Sequence, residues 1–329
     1  MGKGKKTWKR VSYYANGFIS YFTPKFIHRY RMEHLLETLS PAESEQLKKR
    51  VNYYCRFEGN PRLPAVNPYP EGKGPRMAVL KDYKFPWFKK DRHSRYFIDL
   101  YEAINSFPDN YRMFYLYGDI TSEYDYPFFV KSRPIKEVTN SVLLKLNKFR
   151  HFQWVNDKLS FTQKKDLAVS RNCVRNQPHR ALLLEKYFHH PMCNFGMTNQ
   201  DAYLDHPEWK RKFMSQAEQL TYKFILCIEG NDVATNLKWV MSSNSLAVMP
   251  RPKYETWYME GTLIPNYHYV LIKDDYSDLI ERMQYYIEHP DEAEEIIRHA
   301  HEYVKQFQNG HLEKAVVYAV AKEYFNRLH

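Results

Sequence analysis

The segment Glu229-Gly230-Asn231-Asp232-Val233-Ala234-Thr235-Asn236-Leu237-Lys238 carries the residue types that a pyrophosphate needs. Gly230 permits a tight turn and close backbone approach. The free N–H groups of a helix beginning at Ala234, with the positive end of its dipole, would form an anion site. Asn231, Thr235 and Asn236 add neutral donors and Lys238 adds charge, whereas Asp232 would repel a phosphate and suits a hydroxyl or a cap. Neither a GKS/GKT loop nor a GxGxxG run is present, so the spacing alone also fits a plain one-glycine turn.

Two further clusters could do chemistry. Arg171-Asn172-Cys173-Val174-Arg175 runs on to His179-Arg180, and three arginines near one helix start could clamp phosphates bidentately or form a solvated basic turn. Gly118-Asp119, with Glu123 and Asp125 nearby, offers a carboxylate that could act as general base on a hydroxyl. The same acids also fit a surface turn. Metal binding is the weakest reading, because no DxD occurs there and His179, His189, His190, His268 and His301 are scattered.

Positioning these groups requires strands that end where they begin. Tyr222 to Ile228 is a nearly continuous apolar run of strand length, as expected of a strand buried on both faces. A helix over 234–243, a strand over 246–249 and a strand over 269–272 follow, then a helix from Ser277 to Glu288. Before them, 167–170 reads as a strand, and Pro178 sits in the first turn of a helix that Asn176 could cap. Alternation of this kind implies a parallel sheet with ligands at the carboxyl ends of its strands. The first half is less regular: 56–96 reads as irregular connection, 97–104 as a helix, and 113–117 and 128–131 as strands. Helices at 291–307 and 312–328 close the chain. These patterns divide it into an N-terminal lobe over 1–165, a C-terminal lobe over 166–305 and a terminal helix over 306–329 that packs back on the first lobe.

The 329 residues carry a net charge of +11, which favours anionic partners such as nucleic acid, anionic lipid head groups or phosphorylated small molecules. Cys55, Cys173, Cys193 and Cys227 form no CxxC pair, which argues against a zinc ribbon or a disulfide scaffold and fits a reducing compartment. No apolar run is long enough to span a membrane, and the N-terminus lacks the apolar core of a signal peptide. A cytosolic location is therefore expected. Lys6 stands where a myristoylation motif wants Ser or Thr. Residues 1–35 interleave basic and aromatic side chains, which suits either docking on an anionic membrane or a helix packed on the body.

Over Tyr222 to Pro250 and Tyr254 to Leu279 the sequence resembles glycosyltransferase family 90. A strand leads to a Gly loop and helix, and later come Leu263-Ile264-Pro265 and His268-Tyr269-Val270. FVKSRPI (129–135) and NSVLLKLNKFRHF (140–152) match the bacterial lipopolysaccharide branch. The resemblance implies an α/β protein of GT-B type, with two Rossmann-like lobes, the donor site in the cleft between them, and no essential metal or other cofactor. It places the family's Arg-Gly-Ser donor turn on Arg171-Asn172-Cys173, its nucleotide-binding Arg on Arg180 and its pyrophosphate loop on Gly230 to Asn236. Lys238 is kept, and Asn236 stands where animal members carry Arg. The catalytic Asp falls on Asp119, with Asp125 as runner-up. Glu255 is the candidate for the ribose hydroxyls, and Lys131 and Arg133 for the acceptor.

The activity implied is inverting transfer of a hexose, from UDP-glucose or UDP-galactose, to an inner-core sugar of a lipopolysaccharide or lipooligosaccharide. Its partners would be the nucleotide sugar, an anionic glycolipid and the cytoplasmic surface of the inner membrane, without nucleic acid. The alternatives are a capsule or protein acceptor within the same family, or a basic nucleic-acid-binding module.

Overall fold

The structure, a computed structural model, describes residues 3–85, 93–136 and 139–329, with side chains from Thr7 onward. The Met1-Gly2 start and residues 86–92 of the expected connection lie outside the described residues. In chain order the first elements are α1 (Lys3–Phe22), α2 (Lys25–Glu37), α3 (Pro41–Tyr54), β1 (Arg76–Val79), α4 (Ser94–Ile104), β2 (Arg112–Tyr115), β3 (Phe128–Val130), β4 (Ser132–Pro134), β5 (Ser141–Leu143) and the short α5 (Lys148–His151). Then come β6 (Lys165–Asn172), α6 (Pro178–Tyr187), β7 (Cys193–Met197), α7 (Gln216–Gln219), β8 (Tyr222–Leu226), α8 (Leu237–Met241) and β9 (Leu246–Met249). The chain ends with β10 (Tyr254–Thr256), β11 (Val270–Leu271), α9 (Leu279–Glu288), α10 (Pro290–Lys305) and α11 (Gly310–Leu328).

Two compact units emerge. One comprises His151–Lys253 and Glu260–Gln306; the other runs up to Arg150 and takes in Tyr254–Met259 and Phe307–His329. The boundary drawn from sequence at 165 therefore falls earlier, and the six residues 254–259 return to the N-terminal unit. Helix α11 belongs to that unit too, packing on α3, α2 and α4.

The C-terminal unit is built on five parallel strands in the order β11-β9-β8-β6-β7. All five residues of β8 are buried, as a central strand covered on both faces requires. Phe224, Leu226 and Val248 from the sheet meet Leu183 and Leu184 of α6 and Ile296 of α10 in one core. Edge strand β7 was not expected from sequence. Its run Cys-Asn-Phe-Gly-Met mixes a polar residue and a glycine into the apolar positions, which an edge tolerates.

The N-terminal unit follows another plan. Its four-stranded sheet, in the order β1-β2-β3-β5, has β1 antiparallel to β2 and the rest parallel. The antiparallel strand is thus at one edge, and β1 lies inside the segment read as irregular. Strands β4 and β10 form a separate antiparallel pair. Helix α11 starts at the cap Asn309, whose side chain accepts from the N–H groups of His311 and Leu312 at 3.1 and 3.2 Å. Its Glu313 is buried and accepts from Arg50, Lys145 and the Trp257 indole.

Glu313 thus pairs with two cations that have little access to water. Replacing it by alanine takes a buried carboxylate from both, and a broken buried pair costs about 3–5 kcal/mol. Denaturant unfolding of Glu313→Ala is expected to show a loss of about that size, whereas a surface-like change below about 0.5 kcal/mol would contradict the network.

Candidate functional site

In the C-terminal unit the strand order reverses between β6 and β8. The chain moves outward from β6 to β7 in one direction, and through β8, β9 and β11 in the other. Loops leaving two such strands diverge, and the crevice at their carboxyl ends is where open parallel sheets take ligands. Those two loops are the Cys173 turn and the segment that starts at Glu229.

Arg180, on the first turns of α6, joins them. Its Nη1 donates to the Cys173 carbonyl at 2.8 Å, its Nε to the Glu229 carbonyl at 2.8 Å and its Nη2 to the Ile228 carbonyl at 2.9 Å. His179 Nε2 also meets the Glu229 carbonyl at 2.9 Å, and burial lowers this imidazole from its ordinary value against that bond's opposing pull. Gly230 lies directly over the guanidinium: a Cβ there would stand 3.2 Å from Arg180 Nη2. The Gly230 N–H donates to the Asp232 carbonyl at 2.9 Å, closing the turn. Exposed Asn231 accepts from Gln177 at 2.6 Å, and Asn236 donates to the Leu226 carbonyl at 2.9 Å. Asp232, Val233 and Ala234 are buried, and Thr235 is half-buried.

Several expected roles change. Helix α8 begins at Leu237 and spans five residues, so Ala234 is not a helix start and a strong helix dipole is not available to the loop. Lys238 does not reach a ligand site. It is fully buried and ion-paired with Glu260, itself 1% exposed, since an ammonium without water needs a carboxylate. Arg171 is not at a turn but inside β6. Its guanidinium donates to the carbonyls of Ser170, Asn194 and Lys212 and to the Asn194 side chain, and burial lowers its pKa. Cys173 is an exposed free thiol and Arg175 pairs with Asp201 at the surface. Of the three arginines read as one clamp, Arg180 alone lies against both loops.

Sequence reasoning passed over Arg251 and Lys253, which follow β9 at the same edge of the sheet. Arg251 is exposed. The Lys253 N–H donates to Glu229 Oε1 at 3.0 Å, and its ammonium lies 3.2 Å from Asp274. A cation two or four residues past a parallel strand is the signal that could have found them.

In the N-terminal unit, Asp119 follows β2 through Gly118, whose φ of +109° only glycine adopts readily. Its carboxylate is 38% exposed and is held at 2.8 Å by Lys131, which is itself 2% exposed. A cavity of about 500 Å³ surrounds it, lined by His93, Arg95, Tyr96, Gly118, Asn147 and Arg150. Lys131, expected at the acceptor, instead fixes this carboxylate. Asp125 sits apart in an exposed turn, its N–H donating to the Tyr69 hydroxyl and its carbonyl accepting from Asn140.

Arg133 and Glu255 likewise leave the roles expected of them. They bind each other at 2.8 Å with 0% and 1% of their side chains exposed, and burial lowers the Arg133 guanidinium against the pull of Glu255. Arg56 stands 3.3 Å from the same carboxylate and Tyr53 donates to it. A ribose hydroxyl or an acceptor sugar would find neither side chain. Among the described residues no group of His, Cys, Asp and Glu is arranged to hold a metal ion.

The reassignment of Lys238 is testable. Lys238→Met should cost about 3–5 kcal/mol in denaturant unfolding by removing the counter-ion that Glu260 meets in the interior, and Lys238→Met/Glu260→Leu should recover most of it. Unchanged stability in the single variant would return the lysine to a ligand-binding role.

The model of glycosyl transferase family 90 matches residues 142–327. The chain is similar to "O-glucosyltransferase LpsA" of Dichelobacter nodosus, 36% identical over 330 residues, covering 99% of this chain and 98% of that protein. It is also similar to "Protein O-glucosyltransferase 3" of Homo sapiens, 29% identical over 119 residues, covering 36% of this chain and 23% of that protein. The protein of the same name in Rattus norvegicus is 33% identical over 90 residues, covering 27% of this chain and 17% of its own length. A family match over more than half of the chain, and a relative aligned along nearly all of it, meet a parallel sheet whose switch-point loops carry the motif residues: the chain belongs to glycosyl transferase family 90 and is a glycosyltransferase.

Proposed function

We propose that this chain is an inverting transferase that moves a hexose from a uridine diphosphate sugar to a hydroxyl of an inner-core sugar of lipopolysaccharide or lipooligosaccharide. The observation that carries the reading is the switch-point crevice between β6 and β8, where Arg180 holds the Cys173 turn and the Gly230 loop together. The relative from Dichelobacter nodosus, named an O-glucosyltransferase, favours glucose as the sugar. The reading includes a two-lobed GT-B plan, with the nucleotide bound by the C-terminal unit and the acceptor by the N-terminal one. The acceptor is a glycolipid reached from the cytoplasmic side. No described helix is long and apolar enough to cross a membrane.

The reaction is one displacement. Asp119 accepts the proton of an acceptor hydroxyl, whose oxygen forms a bond to the anomeric carbon as the bond from that carbon to the diphosphate oxygen breaks. Lys131 holds the carboxylate in place, since the ammonium is buried and can relax little. The diphosphate leaves with its charge met by Arg180 and by N–H groups of the Gly230 loop, fixed before the reaction begins. Arg95 and Arg150 beside Asp119 suit an acceptor that carries phosphate or carboxylate groups.

Hydrolysis of a panel of nucleotide sugars in the absence of acceptor tests the donor directly, with UDP-glucose or UDP-galactose expected to turn over fastest. Asp119→Asn is expected to lower transfer by about 10²–10⁴-fold while the nucleotide still raises the melting temperature. Arg180→Ala is expected to abolish that thermal shift. Full transfer by Asp119→Asn would remove the residue from the role of base, and an undiminished shift in Arg180→Ala would move the donor elsewhere.

A further inference from the structure

Six of the thirteen exposed large apolar side chains among the described residues fall between positions 8 and 30. They are Trp8, Val11, Ile19 and Phe22 on α1, and Phe26 and Tyr30 on α2, each between 54% and 75% exposed. At about 100° per residue, Trp8, Val11, Ala15, Ile19 and Phe22 lie within roughly 80° of arc on one face of α1. The opposite face is the one that packs. Tyr13 donates to Asp99 of α4 at 2.7 Å, and the ring of Tyr21 lies 4.9 Å from that of Tyr101. Phe26 and Tyr30 are one turn apart on α2, whose other side buries His28 and Met32. His28 Nε2 meets the Ser20 carbonyl at 2.8 Å and ties the two helices. Folding therefore uses the inner aromatics of α1 and leaves an outer apolar stripe uncovered.

The charge along that segment is mainly of one sign, although Lys25 pairs with Asp109. Residues 1–32 hold eight Lys or Arg and no Asp or Glu; the first acid is Glu33. Lys9, Arg10, Arg29 and Arg31 are exposed beside the apolar positions. We propose that this outer face of α1 and α2 docks on an anionic phospholipid bilayer. Phe22, Phe26, Ile19 and Val11 would enter the boundary between head groups and acyl chains. Trp8 and Tyr30, with a polar atom on an apolar ring, suit head-group depth. Each basic side chain near an anionic surface adds attraction that salt screens. A second copy of the chain is a poorer occupant, because a symmetric contact would set one cluster of basic side chains against another. This inference stands on the exposed residues and not on the transferase reading.

Co-sedimentation of the full chain with vesicles of phosphatidylcholine, alone or mixed with phosphatidylglycerol, tests it. Binding is expected to the mixed vesicles, far more weakly to the neutral ones, and to decline as salt rises. Phe22→Ser/Phe26→Ser is expected to lower vesicle affinity about tenfold or more, with thermal unfolding and the rate of donor hydrolysis unchanged. Equal binding to neutral and anionic vesicles, or undiminished binding by the double variant, would overturn the proposal. So would sedimentation velocity showing, without vesicles, a dimer that the double variant disperses. Loss of donor hydrolysis in the parent protein would count against the transferase reading while leaving the vesicle result intact.

Discussion

Arg133 and Glu255 hold each other at 2.8 Å out of reach of water, and that pair joins residues 254–259 to the N-terminal unit. The chain leaves the C-terminal sheet after β9, adds β10 to β4 and then returns to form β11. Within that excursion Tyr54 stacks on Trp257 at 4.1 Å, and the Trp257 indole donates to Glu313 of α11. A charge in a low-dielectric interior is tolerated only with a partner in good geometry, so each of these residues constrains the next. Segments more than a hundred residues apart in sequence are thereby fixed in one unit.

The same constraint sorts the cations of the chain. Lys238 is used by Glu260, Arg50 and Lys145 by Glu313, and Lys131 by Asp119. Arg171 is absorbed by carbonyls of the sheet edge. At the carboxyl edge of the parallel sheet lie Arg180, spread over three carbonyls from two loops, and, past the next strand, Arg251 and Lys253, the latter beside Asp274. An arginine suits this place better than a lysine would, because its rigid fork meets several acceptors at once and stays charged.

The two units carry different kinds of order. The C-terminal sheet is parallel throughout and its inner strands β8 and β9 are fully buried, which makes them apolar runs and the ligand edge predictable. In the N-terminal unit short strands are held by helices and by aromatic packing, such as Tyr324 against Phe129 at 4.1 Å. There the Asp119 cavity depends on one glycine with a positive φ and one buried lysine. Membership of family 90 unites these features, and the outer face of α1 and α2 adds a surface that its core does not need.

By itself the sequence marked most of the parallel half of the protein, its edge strand β7 excepted. The run Tyr222–Leu226 read as a strand buried on both faces, Gly230 as a turn that permits close approach, and the start of the chain as basic and free of acids. Asp119 after a strand and Arg180 on a helix start were legible because local spacing sets both. Only the tertiary structure decided the partners of charged groups. Lys238, Arg133, Lys131 and Glu255 have the same composition and spacing whether they meet a ligand or a buried counter-ion from elsewhere in the chain. Burial chooses between these fates, and burial depends on contacts such as Lys238 with Glu260 or Arg133 with Glu255, which no local pattern encodes. Strands β7 and β10 escaped for the related reason that an edge or a two-stranded pair demands little of its residues beyond a neighbour to bond with.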